Sequence, residues 1–138
     1  MKNKVVLTAI TAILILCLTG CVGAANLGSV VFEDGEVVTG VLIRDEESGQ
    51  TVLITDGEAL ERFIAAVNGT ACLRYSGGVE ASDSGKSVRY VISVNPSGDS
   101  ISLEDDLLFV YSESEFHAGE YNYKAISGGI GDFLNDCM

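Results

Sequence analysis

The stretch that decides the fold is TVLITDGEALERFIAAVNG, residues 51–69. Its first part alternates, with Val52 and Ile54 on one side, which is typical of a half-buried strand. Its second part repeats apolar side chains at the spacing i, i+3, i+4, i+7 of one helix face. The sequence therefore predicts a strand that leads directly into an amphipathic helix over 57–68. The residues of this helix face are Leu60, Phe63, Ile64 and Val67.

Polar residues at both ends of this helix support its predicted bounds. Asp56 precedes it and can accept a hydrogen bond from a free N–H of the first turn. Glu58 lies near the positive end of the helix dipole, and it is four residues before Arg62, the spacing of an ion pair. Asn68-Gly69 is expected to end the helix, because glycine tolerates a left-handed cap.

Short apolar stretches separated by polar turns predict strands along the rest of the chain. Because strands and helices do not alternate, we predict an α+β fold with helices on one face of a mainly antiparallel sheet of about 5–7 strands. Ile130, Phe133, Leu134 and Cys137 repeat the helical spacing and predict a short C-terminal helix over 129–137. The predicted strands are Ser29–Phe32, a hairpin of Val37–Arg44 and Thr51–Thr55, then Thr70–Tyr75, Val88–Val94, Ile101–Leu103, Leu107–Tyr111 and Tyr121–Ile126.

The first twenty residues have the composition of a secretory signal. Their apolar run, Val5–Leu16, is shorter than the roughly 20 residues that a membrane-spanning helix needs. It is followed by Leu18-Thr19-Gly20-Cys21, which resembles the lipobox of bacterial-type lipoproteins. The resemblance covers residues 1–21 and implies that the sulfur of Cys21 receives a diacylglyceryl group before cleavage removes residues 1–20. The alternatives are a plain signal peptide with a coincidental cysteine and an uncleaved anchor.

This resemblance divides the chain into three parts. Residues 1–20 are expected to be the removed signal peptide, and residues 21–28 a lipid-anchored tether. Residues 29–138 are expected to form a single extracytoplasmic domain held at a membrane of the cell envelope. Two or more acyl chains would make this anchoring durable.

The charge balance limits the partners of the protein. The chain of 138 residues has a formal net charge of −12, and removal of residues 1–20 would take away Lys2 and Lys4 but no acid. No nucleic acid partner is expected, because phosphates need clustered lysine and arginine. Any charged macromolecular partner is expected to be basic, since opposite charges steer association. The alternative is an acidic surface that serves solubility alone.

Cys72 and Cys137 are the cysteines that lie outside residues 1–21. Outside the cytoplasm such a pair is a disulfide candidate, and closing the long loop would contribute roughly 4 kcal/mol in the chain-entropy model. Two buried free thiols are the alternative. No metal or other cofactor is expected, because the chain has no C-x-x-C motif and only one histidine.

Few residue patterns point to catalysis. Gly85-Lys86-Ser87 is not a nucleotide-binding P-loop, because Glu80 occupies the place of its first glycine. His117 would have to serve any Ser-His-Asp site, but it falls in the polar stretch 112–120, where we expect a solvent-facing loop. Paired carboxylates of a glycan hydrolase would come from the turn Glu104-Asp105-Asp106. That turn, or Asp45-Glu46-Glu47, could also bind Ca²⁺ weakly, but the EF-hand spacing Asp-x-Asp-x-Asp-Gly is absent.

Two further resemblances bear on function. The body of the chain is similar to small surface lipoprotein domains in two places. These are Ile54-Thr55-Asp56 before the helix and Tyr121-Asn122-Tyr123-Lys124 in the last predicted strand. The resemblance implies a fold and a location but no activity. Ser76-Gly77-Gly78-Val79-Glu80 resembles the Ser-Gly-x-x-Tyr motif of lipoprotein lysozyme inhibitors, but Glu80 replaces the tyrosine. We therefore predict a non-enzymatic binding module. The alternatives are an inhibitor of a basic hydrolase such as lysozyme, and an envelope glycan hydrolase.

Overall fold

The computed structural model describes residues 24–77, 87–98, 100–102, 105 and 107–138. Within these residues the chain forms eight strands and three helices. The helices are α1 (Leu27–Val31), α2 (Gly57–Asn68) and α3 (Ile130–Cys137). The strands are β1 (Ala24–Asn26), β2 (Val41–Asp45), β3 (Thr51–Ile54), β4 (Ala71–Gly77), β5 (Tyr90–Val94), β6 (Leu107–Ser112), β7 (Glu115–Ala118) and β8 (Tyr121–Ser127).

All eight strands belong to one antiparallel sheet with the order β1-β4-β8-β7-β6-β5-β2-β3. The predicted α+β class, the mainly antiparallel sheet and the C-terminal helix are confirmed. The hairpin of β2 and β3 is also as predicted, with Ile43 opposite Val52. The sheet has more strands than the expected 5–7, because β1 and β7 form in segments predicted to be a tether and a polar loop. The predicted strand over 101–103 is wrong for its described residues 101–102, which lie outside the sheet.

The helix α2 supplies the centre of the core. Its predicted bounds agree with the structure, and the Asp56 carboxylate accepts a hydrogen bond from Ala59 N at 3.0 Å. The ring of Phe63 packs edge-on against Phe32 of the segment after α1 and against Phe133 of α3. The three helices therefore form one layer, whose apolar side chains share a core with one face of the sheet.

The middle of the sheet is buried on both faces. In β5 the residues Tyr90, Ile92 and Val94 face the helix layer, and Val91 and Ser93, which point the other way, are also buried. Alternation alone predicts one buried face, so the second buried face is a property of the assembled sheet.

Three local predictions need correction. Ala24–Asn26 is paired with β4 and Leu27 is fully buried, so the folded body includes most of the segment predicted as a tether. Ser29–Phe32 is not a strand, because the Asn26 side chain accepts a hydrogen bond from Gly28 N at 2.8 Å and starts α1 there. Gly69 ends α2 with a φ of −78°, which is not left-handed.

In the part of the chain that the structure describes, no helix is long and apolar enough to cross a membrane.

Candidate functional site

Several residues that the sequence singles out lie outside the described residues. These are Cys21 with the whole signal segment, Glu104 and Asp106 of the acidic turn, and the end of the inhibitor-like motif at residues 78–80. Asp105 of this turn lies within the described residues.

Asp105 holds a turn together. Its carboxylate accepts hydrogen bonds from Ser102 N at 2.8 Å and from Ser97 Oγ at 3.0 Å. The bond from the Ser102 backbone is the main cause that keeps the pKa of Asp105 below its ordinary value, and it outweighs a partial desolvation that would raise it. A general acid of a glycan hydrolase needs a raised pKa, so this environment favours the opposite protonation state.

His117 does not lie in a solvent-facing loop, contrary to the sequence-based expectation. It belongs to β7 and is only 3% exposed, because its stretch forms a strand between β6 and β8. Its Nδ1 atom is 2.9 Å from Asn122 Oδ1, and its ring packs edge-on against Phe109. The buried hydroxyl of Ser93 is two strands away, about 10 Å, too far for a nucleophile and its base.

The acidic turn after β2 is an ion-pair network. Asp45 Oδ1 accepts from Glu47 N at 2.8 Å, and Asp45 Oδ2 is 3.3 Å from Arg89 Nη2. Arg89 also pairs with Glu47, and Arg44 pairs with Glu46. These carboxylates are already satisfied by protein groups. Across the described ranges, no group of three His, Cys, Asp or Glu residues is arranged to hold a metal ion.

The two cysteines are free in the structure, so the predicted Cys72–Cys137 disulfide is not formed there. Cys72 Sγ in β4 donates to Ala25 O at 3.4 Å, and Cys137 Sγ at the end of α3 lies 3.7 Å from Leu134 O. Burial raises the pKa of both thiols. Both side chains therefore belong to the core or its border.

The outer edge of the sheet at β3 has unused backbone groups. Asp45 N donates to Gln50 O, so hydrogen-bonded pairs alternate along the hairpin and include Ile43 with Val52. The N–H and C=O groups of Thr51 and Leu53 then point away from β2. No other described residue pairs with them, because β3 is the last strand of the sheet.

A groove of about 340 Å³ lies beside this edge. Polar side chains, backbone and one exposed leucine form its walls, and the lining contains no charged residue. The lining residues are Thr39, Gly40, Leu53, Thr55, Asn95, Pro96, Ser97 and Gly98.

Asn95 holds one wall of the groove in place. It has a positive φ of 50°, which asparagine tolerates better than most residues. Its Oδ1 accepts from Thr39 N at 2.7 Å, and its Nδ2 donates to Val37 O at 3.0 Å and to Glu36 Oε1 at 3.3 Å. Asn95 N also donates to Gly40 O at 2.8 Å. One residue thus fixes the whole segment that enters β2.

The groove and the free edge of β3 lie side by side, since Leu53 and Thr55 line the groove. The chain matches no protein-family model, no curated protein and no solved structure. The class that the fold defines is an α+β domain with one antiparallel sheet and a single helix layer.

Proposed function

We propose that this protein is a lipid-anchored, extracytoplasmic binding module without enzymatic activity, and that its partner is a basic protein. The lipobox-like segment ending at Cys21 supports the anchor. The observation that supports a basic partner is the negative charge of the helix layer. Arg62 is the only basic residue in its described helices, and the exposed acids of the layer and of the adjoining turn are Glu33, Asp34, Glu58, Glu61, Asp132 and Asp136.

Basic residues elsewhere in the described chain cancel only part of this charge. Arg44 and Arg89 are engaged in ion pairs with the acidic turn after β2. Arg74 of β4, whose guanidinium lies 4.3 Å from the ring centre of Tyr121, and the exposed Lys124 of β8 keep their charge, but the exposed acids of the helix layer and its turn outnumber them. The helix layer therefore presents a negative field, which would raise the association rate of a positively charged partner.

The state of the candidate catalytic groups also supports binding. The carboxylates of Asp105 and Asp45 each accept a hydrogen bond from a backbone N–H group, and Asp45 also pairs with Arg89. His117 is buried and hydrogen-bonded to Asn122. Each of these side chains stabilises the fold, and none of them lines the groove.

The experiment measures association with a basic probe. The full chain in a non-ionic detergent is immobilised, and lysozyme is passed over it at salt concentrations from about 20 mM to about 300 mM. The association rate constant should fall steeply with salt, because screening shortens the reach of the field to about 8 Å at physiological ionic strength. Lysozyme turnover in the same mixture tests whether binding inhibits the enzyme.

Matched charge variants make this test specific. Glu61→Gln with Asp136→Asn removes two acids from the helix layer, and Glu46→Gln with Glu120→Gln removes two from turns of the sheet. The first pair should slow association about two- to fivefold, and the second pair should have the smaller effect. An association rate that is insensitive to salt and to both pairs contradicts the proposal.

A further inference from the structure

We infer that the free edge of β3, with the groove beside it, binds an extended segment of the partner as an additional strand. Lysine or arginine side chains of that segment would face the acids around the groove. This inference rests on the proposed function, since it names the docking surface for the basic partner.

The edge of β3 has the free backbone groups that strand addition needs. The outward N–H and C=O groups of Thr51 and Leu53 offer a ladder to a further strand. The residues of β3 are Thr-Val-Leu-Ile, without the charge, proline or bulge that commonly blocks strand addition. Strand addition of this kind obtains affinity from main-chain hydrogen bonds and specificity from alternate side chains.

The exposed side chains have the same alternation as the free backbone groups. Thr51, Leu53 and Thr55 point to the face that bears the groove, and all three are exposed, with Leu53 47% exposed. Val52 and Ile54 point to the core. An added strand could therefore place every second side chain against Leu53 and the groove without disturbing the helix layer.

The wall of the groove opposite β3 is already ordered in the free protein. The hydrogen bonds of Asn95 to Thr39 and Val37 fix the segment before β2. Val37 is 75% exposed, so this segment holds an aliphatic side chain in solvent two residues before the groove. A wall fixed in advance lowers the ordering cost of binding.

Charge selects the occupant. Glu36 is hydrogen-bonded to Asn95, Asp105 is hydrogen-bonded to Ser97, and Asp56 follows Thr55, so three carboxylates adjoin lining residues. No described arginine or lysine lines the groove. A basic segment complements these acids. A second copy of the chain fits less well, because it would bring the same acids to the same edge.

The position of β3 in the sheet suits a membrane-anchored protein. β1 begins three residues after Cys21, a distance of at most about 10 Å. β1 and β3 are the two edges of the eight-stranded sheet, separated by seven strand spacings, or about 34 Å measured along the sheet. An anchor on Cys21 would thus be attached at the edge of the sheet opposite to β3.

The test uses a seven-residue peptide in which lysine and valine alternate, with a glutamate–valine peptide of the same length as its control. The full chain in detergent is titrated with each peptide, and binding is followed by fluorescence anisotropy and by amide NMR shifts. The lysine peptide should bind more tightly than the glutamate peptide. The largest amide shifts should fall on Thr51, Leu53 and Thr55.

Two sets of variants test the main-chain hydrogen bonds of β3 and the charge beside the groove separately. Leu53→Pro removes an outward N–H without removing a hydrogen bond to β2, and it should weaken binding at least tenfold, mainly through faster dissociation. Leu53→Ala keeps that N–H and should have the smaller effect. Thr55→Lys should weaken binding of the lysine peptide, and Thr55→Glu should leave it equal or tighter.

The outcomes distinguish this inference from the proposed function. Binding of basic proteins that responds to the helix-layer acids, but not to Leu53→Pro, overturns the docking surface and keeps the proposed function. Binding of neither lysozyme nor the lysine peptide overturns both. Self-association through β3, detected by sedimentation and abolished by Leu53→Pro, would identify a second copy as the occupant and overturn the basic segment.

Discussion

The side chain of Asn95 is hydrogen-bonded to the backbone of Thr39, with 2.7 Å between Oδ1 and the Thr39 nitrogen. The two residues are far apart in sequence, and this contact connects the end of β5 to the segment that enters β2. It determines the shape of the groove wall, because the same amide also holds Val37 and Glu36.

Replacing Asn95 should destabilise the fold and loosen the groove. In Asn95→Ala, the two side-chain hydrogen bonds to the backbone of Thr39 and Val37 are lost at about 1 kcal/mol each, and the positive φ adds about 1–2 kcal/mol. We expect the free energy of unfolding in urea to fall by about 2–4 kcal/mol. Asn95→Gly loses the same side-chain bonds but tolerates the φ of 50°, so it should be about 1 kcal/mol more stable than the alanine variant. Wild-type stability in both variants would contradict this role.

Local features of the fold were predictable from the sequence because their causes are local. The helix α2 starts and ends where predicted, since Asp56 caps it and the apolar spacing continues to Val67. The β2–β3 hairpin follows from two apolar runs around a polar turn. These elements needed no information about distant parts of the chain.

Features that depend on strand order were not predictable. β1 consists of Ala24, Ala25 and Asn26, which have weak strand propensity, and its pairing with β4 is non-local. His117 is buried because β7 lies between two other strands. The groove could not be predicted from the sequence either, because it also depends on non-local contacts. Asn95-Pro96 indicates a turn, but the contact of Asn95 with the segment before β2 exists only in the assembled sheet.

Asp105 should contribute to the pH dependence of stability. Its pKa is lowered in the folded protein, chiefly by the hydrogen bond from Ser102 N. Its contribution is therefore present above the unfolded pKa, near pH 4, and is lost as the pH falls through the lower folded pKa. In Asp105→Asn, the free energy of unfolding should be lower at neutral pH, and its decline in acid should be shallower than in the wild type.

Urea titrations between about pH 7 and pH 2.5 measure this difference. Asp34→Asn is the matched control, because this exposed side chain makes no hydrogen bond within the described residues. Parallel pH curves for the wild type and Asp105→Asn would show that the turn does not depend on this carboxylate.

The two core thiols should differ in their reactivity. Cys72 is fully buried, whereas Cys137 is half-buried at the end of α3. Burial raises both pKa values, which lowers the thiolate fraction that reacts with iodoacetamide. Peptide-level mass spectrometry at about pH 8 should show slow labelling of Cys137, slower labelling of Cys72, and rapid labelling of both in urea. Resistance of both to labelling in urea, relieved by a reductant, would restore the disulfide.

The anchor should depend on Cys21 and not on the neighbouring cysteine at position 17. We expect the native chain to have lost residues 1–20, to carry the mass of a diacylglyceryl group, and to partition into the detergent phase of a cloud-point separation. Cys21→Ser should move the protein to the aqueous phase, because a chain without acyl groups has no durable hold on a bilayer. Cys17→Ser, which changes a cysteine within the apolar run, should leave mass and partitioning unchanged. Intact protein that keeps Met1 and carries no lipid would contradict the anchor, and with it the attachment at the edge of the sheet opposite to β3.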